Sequence, residues 1–333
     1  MTIEKIRLSI GSASVLGLGT LPQFKNPPTT CYIMTFTEGH CIANCGFCPQ
    51  ARSSKSHIEK LSRVTWPIFQ FKTFLTKLKY MPFSKKFERI CIQTLNYKEN
   101  FNDLIEIITR IRNYTDIPIS VAIPPFSKDK LKVLKIKGVE RVGIALDGAT
   151  PEVFDMIKGT KIDGPYRWEE HFQTLYEALE IFSPGFVSTH IIIGLKETEK
   201  QVIKLIEELY NLGIIVSLFA FTPIKGTKFE NLQQPTIKSF RKLQLGRFLI
   251  VNNGKKIKDF AFNLSGDIIN IDITKKELEM IIYDTNAFLT SGCPGCNRPY
   301  YTSKPSGPIY NYPRTITEKE KLEIFELLHS LIN

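Results

Sequence analysis

The chemistry open to this sequence sits in its seven cysteines, and their spacing says more than their number. Three crowd into one loop, Cys41-Ile-Ala-Asn-Cys45-Gly-Phe-Cys48, two form the turn Cys293-Pro-Gly-Cys296, and Cys31 and Cys91 stand alone. Thiolates this close together are soft ligands that select iron–sulfur clusters, zinc or Cu(I). A cubane cluster normally takes one cysteine per iron. A loop of three therefore leaves one iron open to a small chelating molecule. Zinc also needs a fourth ligand, and His40 adjoins Cys41 too closely to chelate with it. The C-x2-C turn is a natural two-ligand chelate, for a second cluster or a zinc knuckle, and also reads as a redox pair. Cys31 and Cys91 also fit as small buried core residues.

Such residues need elements to position them. Short apolar runs at Cys31–Phe36, Arg89–Leu95, Ile117–Ile123, Val142–Asp147, Val187–Gly194, Ile214–Phe221 and Phe260–Ile269 read as strands. Helical patterns lie between them at Phe101–Tyr114, Trp168–Phe182, Thr198–Leu212 and Ile237–Asn252; in the third, Val202, Leu205, Ile206 and Leu209 share one face. This alternation predicts βα units around a parallel sheet. The expected fold is α/β, a partial or complete (βα) TIM-type barrel of about six to eight parallel strands with N- and C-terminal extensions. A doubly wound open sheet is the competitor. The expected divisions are an N-terminal extension over 1–30, a barrel over 31–290, and a cysteine loop with a closing helix over 291–333. Residues 1–30 read as a helix and a lead-in containing Pro22, Pro27 and Pro28, and the last helix is expected from about Thr317. In a barrel the cysteine triplet falls on the loop after the first strand, at the end where such folds place their chemistry. On Arg89–Leu95, Cys91 and Gln93 alternate with Ile90 and Ile92, so the polar-bearing face is expected to point inward.

The chain has 333 residues and a formal charge of +11, with 43% hydrophobic residues, enough for a large core. No apolar run approaches the roughly 18 residues of a membrane span, and the charged N-terminus does not read as a secretory signal. A cytoplasmic protein without a membrane role is expected. The basic surface suits an acidic partner. Its lysines are dispersed, and no segment reads as an RNA-binding appendage, so no nucleic-acid partner is expected.

The C-x3-C-x2-C loop after the first strand, with Phe47 before its last cysteine, resembles the signature of the radical S-adenosylmethionine (SAM) superfamily. The resemblance implies that Cys41, Cys45 and Cys48 hold a 4Fe–4S cluster whose open iron binds SAM, and that an electron from the cluster cleaves SAM to a 5′-deoxyadenosyl radical. Cys45-Gly-Phe-Cys48-Pro49-Gln50 is similar to the cysteine loop of biotin synthases. Across residues 30–230 the likeness continues in order. Asp147 falls where those enzymes hold the ribose of SAM, Ile193-Gly194-Leu195 with Glu197 falls where they pack adenine, and Thr222–Thr227 resembles their Lys-Gly-Thr-Pro turn after the sixth strand. Biotin synthases bind a 2Fe–2S sulfur donor through three cysteines and an arginine. Of these only the second-strand cysteine, Cys91, has a counterpart among the strands here.

The segment Gly292–Tyr301, with Ile309-Tyr310-Asn311-Tyr312-Pro313, resembles the archaeal-type two-protein lipoyl synthases. That likeness implies an auxiliary 4Fe–4S cluster on Cys31, Cys91, Cys293 and Cys296, consumed as sulfur donor. Sulfur would enter C6 or C8 of an octanoyl chain on a lipoyl carrier domain or glycine-cleavage H protein. A second related radical SAM protein and an electron donor such as ferredoxin are the further partners implied. Phe219, Phe221, Tyr300 and Tyr301 are candidate pocket walls, and Arg298 a candidate ligand for a carbonyl or carboxylate. Biotin formation, another radical SAM sulfur transfer, and a non-catalytic iron–sulfur or zinc protein are the alternatives.

Overall fold

The computed structural model describes residues 3–21, 23–82 and 87–332; Pro22 of the lead-in lies outside them. The N-terminal extension differs from the single helix expected. It forms a strand, β1 (Lys5–Leu8), before a short helix, α1 (Ile10–Val15). Pairing overrides local preference here, because β1 lies antiparallel against both β2 (Thr30–Met34) and β5 (Ile68–Gln70). A two-residue hairpin, β3 (Lys60–Leu61) and β4 (Val64–Thr65), precedes β5.

Helices and parallel strands then alternate: α2 (Phe71–Lys79), β6 (Arg89–Gln93), α3 (Asn100–Arg112), β7 (Ile119–Ile123), α4 (Lys128–Ile136), β8 (Val139–Ile144), α5 (Pro151–Lys158), α6 (Trp168–Phe182), β9 (Val187–Ile193), α7 (Glu199–Asn211) and β10 (Ile215–Ala220). Helix α8 (Ile237–Asn253) follows. Strand signals such as Ile90-Cys91-Ile92 and Ile191-Ile192-Ile193 become β strands because β-branched side chains pack well on a pleated surface. Helix starts are marked by capping threonines: Thr150 before Pro151 on α5, and Thr198 with Gln201 in a capping box on α7. The apolar stripe expected on α7 is buried.

Among the described residues, eight strands form one sheet in the order β10-β9-β8-β7-β6-β2-β1-β5. Six of them, β2 and β6 to β10, run parallel and curve into a partial TIM-type barrel. The expected seventh strand at 260–269 is instead a separate hairpin, β11 (Phe260–Phe262) with β12 (Ile268–Ile271), because Gly266 at φ +81 turns the chain. Helices α9 (Lys275–Asp284) and α10 (Glu318–Leu328) complete the chain, and Thr317 caps α10 as the sequence suggests.

The parallel strands do not close on themselves. The stretch 288–312 fills the seam between β10 and β2. On one side Leu218 N–H donates to Ser291 Oγ (3.2 Å) and Asn311 Nδ2 donates to the Leu218 carbonyl (3.0 Å). On the other, the Thr29 and Thr30 hydroxyls donate to the Gly295 carbonyl at 2.7 and 2.8 Å. This segment brings the C-x2-C turn from the far end of the sequence to the barrel interior.

Candidate active site

The triplet loop is pinned on three sides. Cys41 N–H donates to the Gln50 carbonyl (2.9 Å), Ile42 N–H to Asn96 (2.7 Å) and Gly46 N–H to Ile157 (2.8 Å). A Cβ at Gly46 would lie 2.4 Å from Ile162 Cδ1 and 2.7 Å from the Phe229 ring, so a larger residue there must displace both side chains. The loop's sulfurs are met by backbone donors. Asn96 N–H points at Cys41 Sγ (3.2 Å), and the Gln50 and Ala51 N–H groups at Cys48. Such donors stabilise thiolate. Against them, burial pushes all three thiols up, Cys48 to about 12, while the Lys158 ammonium draws Cys41 and Cys45 down.

Asp147 stands at the end of β8 in the left-handed region, φ +63, held by a bridge to β9 in which its N–H donates to His190 O (2.9 Å). Its buried carboxylate takes Lys158 Nζ at 2.7 Å and His190 Nε2 at 2.8 Å. Burial alone would raise this carboxyl; Lys158 and His190 outweigh it and hold it below the ordinary carboxylate range. Behind Lys158, His171 packs edge-on against Phe154 and Tyr166, and burial with the nearby ammonium lowers it to about 3. His171 is therefore neutral, with Nδ1 donating to the Arg167 carbonyl (2.9 Å).

Cys91, Cys293 and Cys296 converge elsewhere on the same cavity, which encloses about 340 Å³. Each sulfur has a polar neighbour. Gln93 Nε2 donates to Cys91 Sγ (3.1 Å), Ser120 Oγ to Cys293 Sγ (3.7 Å), and Tyr32 Oη lies 3.3 Å from Cys296 Sγ. Burial pushes the Cys91 thiol far up, Cys293 and Cys296 add to the shift, and Arg298 opposes it. Gln93 and Cys91 face the cavity while Ile90 and Ile92 join the core, as the alternation predicts.

Cys31 does not join this set. In register it pairs with Ile90, on the core side of the sheet, and Tyr32 pairs with Cys91. Fully buried, Cys31 belongs to the main apolar core, so the expected four-cysteine set reduces to three. The residues expected to pack adenine, Ile193, Gly194 and Leu195, do not line the cavity. Ile193 and Leu195 are packed into apolar groups, and the Gly194 and Leu195 N–H groups are both taken by the Glu197 carboxylate at 2.6 and 2.9 Å. His190 and Ile192, on the opposite face of β9, meet the cavity instead. Strand alternation through Ser188, His190 and Ile192 was the signal for them. Lys158 had no such signal, being brought to Asp147 by the turn of α5. Phe219, Phe221 and Tyr301 do line the cavity, whereas Tyr300 stands behind it with its hydroxyl accepting from Asn26 Nδ2 (2.6 Å). Arg298 stacks on the Phe219 ring, 4.0 Å from its centroid.

The superfamily model described as Radical SAM matches residues 37–209, more than half of the chain and the whole of the triplet loop. The chain belongs to the radical SAM superfamily. It is similar to the biotin synthase of Methanococcus maripaludis strain S2, 30% identical over 214 residues that cover 62% of this chain and 60% of that one. With the biotin synthase of Campylobacter hominis it shares 26% over 215 residues, 60% of this chain and 59% of the relative. The chain thus spans about three fifths of these relatives' length. Among solved structures, the FeFe-hydrogenase maturase HydG of Carboxydothermus hydrogenoformans matches with TM-score 0.50 at 18% identity, over 66% of this chain and 51% of that one. Streptococcus suis SuiB bound to S-adenosylmethionine also gives 0.50, at 12% identity over 68% and 48%. These two share the fold. Within the superfamily its sequence is similar to those of biotin synthases.

Membership implies a 4Fe–4S cluster and SAM, and the triplet fits that group. Three thiols on one loop, all bordering the cavity, suit a cluster with one open iron.

Proposed function

We propose that this chain is a radical SAM sulfurtransferase, one subunit of a two-protein lipoyl synthase that inserts sulfur at C6 or C8 of an octanoyl chain carried on a lipoyl domain or glycine-cleavage H protein. The observation that carries this is one apolar cavity bordered by two separate thiol sets, Cys41/Cys45/Cys48 and Cys91/Cys293/Cys296. In this reading the first set holds the cluster that binds SAM, and the second holds an auxiliary cluster that gives up sulfur. Bound there, the first cluster and SAM supply a radical able to take hydrogen from an unactivated C–H bond.

The chain's own residues then have definite tasks. Asp147, fixed as an anion by Lys158 and His190, presents carboxylate oxygen to a sugar hydroxyl. Ile192, Phe221 and Phe219 exclude water from the path between the two sets. The Arg298 guanidinium, stacked on Phe219, offers the donors for a polar end of the substrate. The +11 charge assists encounter with an acidic carrier. A related partner protein and a ferredoxin-type reductant belong to the same proposal.

A second reading, biotin formation, is favoured by one observation. With Cys31 gone from the set, the second site offers three cysteines beside an arginine, Arg298, the donor types of biotin synthases. Anaerobic turnover of the reconstituted chain with SAM and dithionite separates the two. Mass spectrometry is expected to show a sulfur-shifted octanoylated carrier peptide and no change in dethiobiotin. Biotin from dethiobiotin, with the peptide unmodified, would overturn the lipoyl assignment.

A further inference from the structure

The C-x2-C turn lies just over 200 positions from Cys91 in sequence, and what fixes it over Cys91 is polar and centres on one buried side chain. Arg89 opens β6, two residues before Cys91, and its side chain is 4% exposed. Its Nε donates to the Pro294 carbonyl, inside the Cys293–Cys296 turn, at 3.1 Å. Its Nη1 donates at 2.9 Å to Ser120 Oγ, the hydroxyl that in turn donates to Cys293 Sγ. Its Nη2 pairs with Glu140 Oε2 at 2.5 Å. One planar fork therefore joins β6, β7, β8 and the turn. The turn is seated closely enough that a Cβ on Gly295, at φ +74, would lie 2.6 Å from Glu88 Oε2.

We propose that Arg89 is the positioning residue of the second thiol set: it seats the Cys293–Cys296 turn over Cys91, and the three thiols form a cluster site only while this guanidinium is in place. The proposal rests on the reading of those three cysteines as cluster ligands. Arg89 acts through Pro294 and Ser120. A guanidinium suits the task because it is planar and holds several acceptors in fixed directions, and burial is tolerated because its charge is paired. Lysine keeps the charge opposite Glu140 but, as a point donor, cannot hold the Pro294 carbonyl and Ser120 together.

The test uses the full chain as wild type, Arg89→Lys and Arg89→Met, each reconstituted anaerobically with iron and sulfide. Wild type is expected to hold about eight irons, and both variants about four. In both variants the EPR signal of the reduced protein that changes on adding SAM persists, and the second signal is lost. A general loss of stability would weaken both signals alike. If Arg89→Met does not fold, Arg89→Lys carries the test. A folded Arg89→Lys protein with about eight irons and both signals would overturn the proposal. Wild type with only about four irons overturns the second-cluster reading instead. Maleimide labelling of the metal-free chains, mapped by mass spectrometry, then decides Arg89 by itself. Labelling of Cys293 and Cys296 that is roughly ten-fold faster in the variants, with Cys41, Cys45 and Cys48 unchanged, supports the seat, and equal rates overturn it.

Discussion

Cys31 and Cys91 lie on neighbouring strands, and their different surroundings predict different behaviour. Cys91→Ala removes a cavity-facing sulfur and is expected to lower iron from about eight to about four per chain. Cys31→Ala removes a core sulfur, costs on the order of 1 kcal/mol of stability and leaves the iron count unchanged; iron and sulfide analysis with a denaturant melt checks both. Cys91 was legible because its strand alternates polar and apolar residues. Cys31 was not, because every residue of β2 is buried and a strand covered on both faces carries no alternation. Titration gives a second prediction at this scale. His171 takes a proton near pH 3 when folded and about 6.5 when unfolded, so between those values the unfolded chain binds more protons and stability falls as pH falls. His171→Phe should reduce that slope, by up to about 1.4 kcal/mol per pH unit, when melts at pH 7 and pH 5 are compared. Asp147 has the opposite origin but the same sign. Its lowered carboxyl contributes stability above about pH 3.9, lost as pH falls through the folded value. Lys158→Met leaves that carboxylate buried without its ammonium and should cost roughly 3–5 kcal/mol.

At the scale of elements, the stretch 288–312 acts as the stave that the six parallel strands lack. Ser291 and Asn311 tie it to β10, and its C-terminal end is also tied to α8. There the buried Arg241 donates to the carbonyls of Ile309 and Tyr310 and to Gln244 Oε1. Arg241→Met should therefore free the stave, lowering stability by roughly 2–4 kcal/mol and raising hydrogen exchange across 288–312 before the barrel strands open. Helices α6, α7 and α8 could be read almost to the residue, since caps and apolar stripes are local signals. β1 and β5 could not, because four- and three-residue strands owe their existence to partners distant in sequence. The run 260–269 misled because its apolar ends looked continuous, although Asn263-Leu-Ser-Gly-Asp267 carries a turn signal that the structure uses, with Asn263 N–H donating to Asp267 O (3.0 Å).

For the whole molecule, the Cys293–Cys296 turn comes from the far end of the chain and meets Cys91 and the triplet across one cavity because the barrel is left open for the C-terminal stave. The sequence supplied the cysteines, but only the closure shows which of them face each other. The net charge of +11 belongs to this scale as well. If the substrate rides on an acidic carrier, raising salt from about 50 to 300 mM should raise KM several-fold for the carrier and leave that for a short octanoyl-lysine peptide nearly constant. The most direct measurement is anaerobic turnover with SAM, dithionite and a carrier bearing a perdeuterated octanoyl chain. Mass spectrometry should find deuterium in the 5′-deoxyadenosine and sulfur in the carrier, as a C–H bond lying between the two thiol sets requires. SAM cleavage without deuterium transfer would contradict the placement of that substrate, and no SAM cleavage by a fully iron-loaded chain would contradict the function of the site itself.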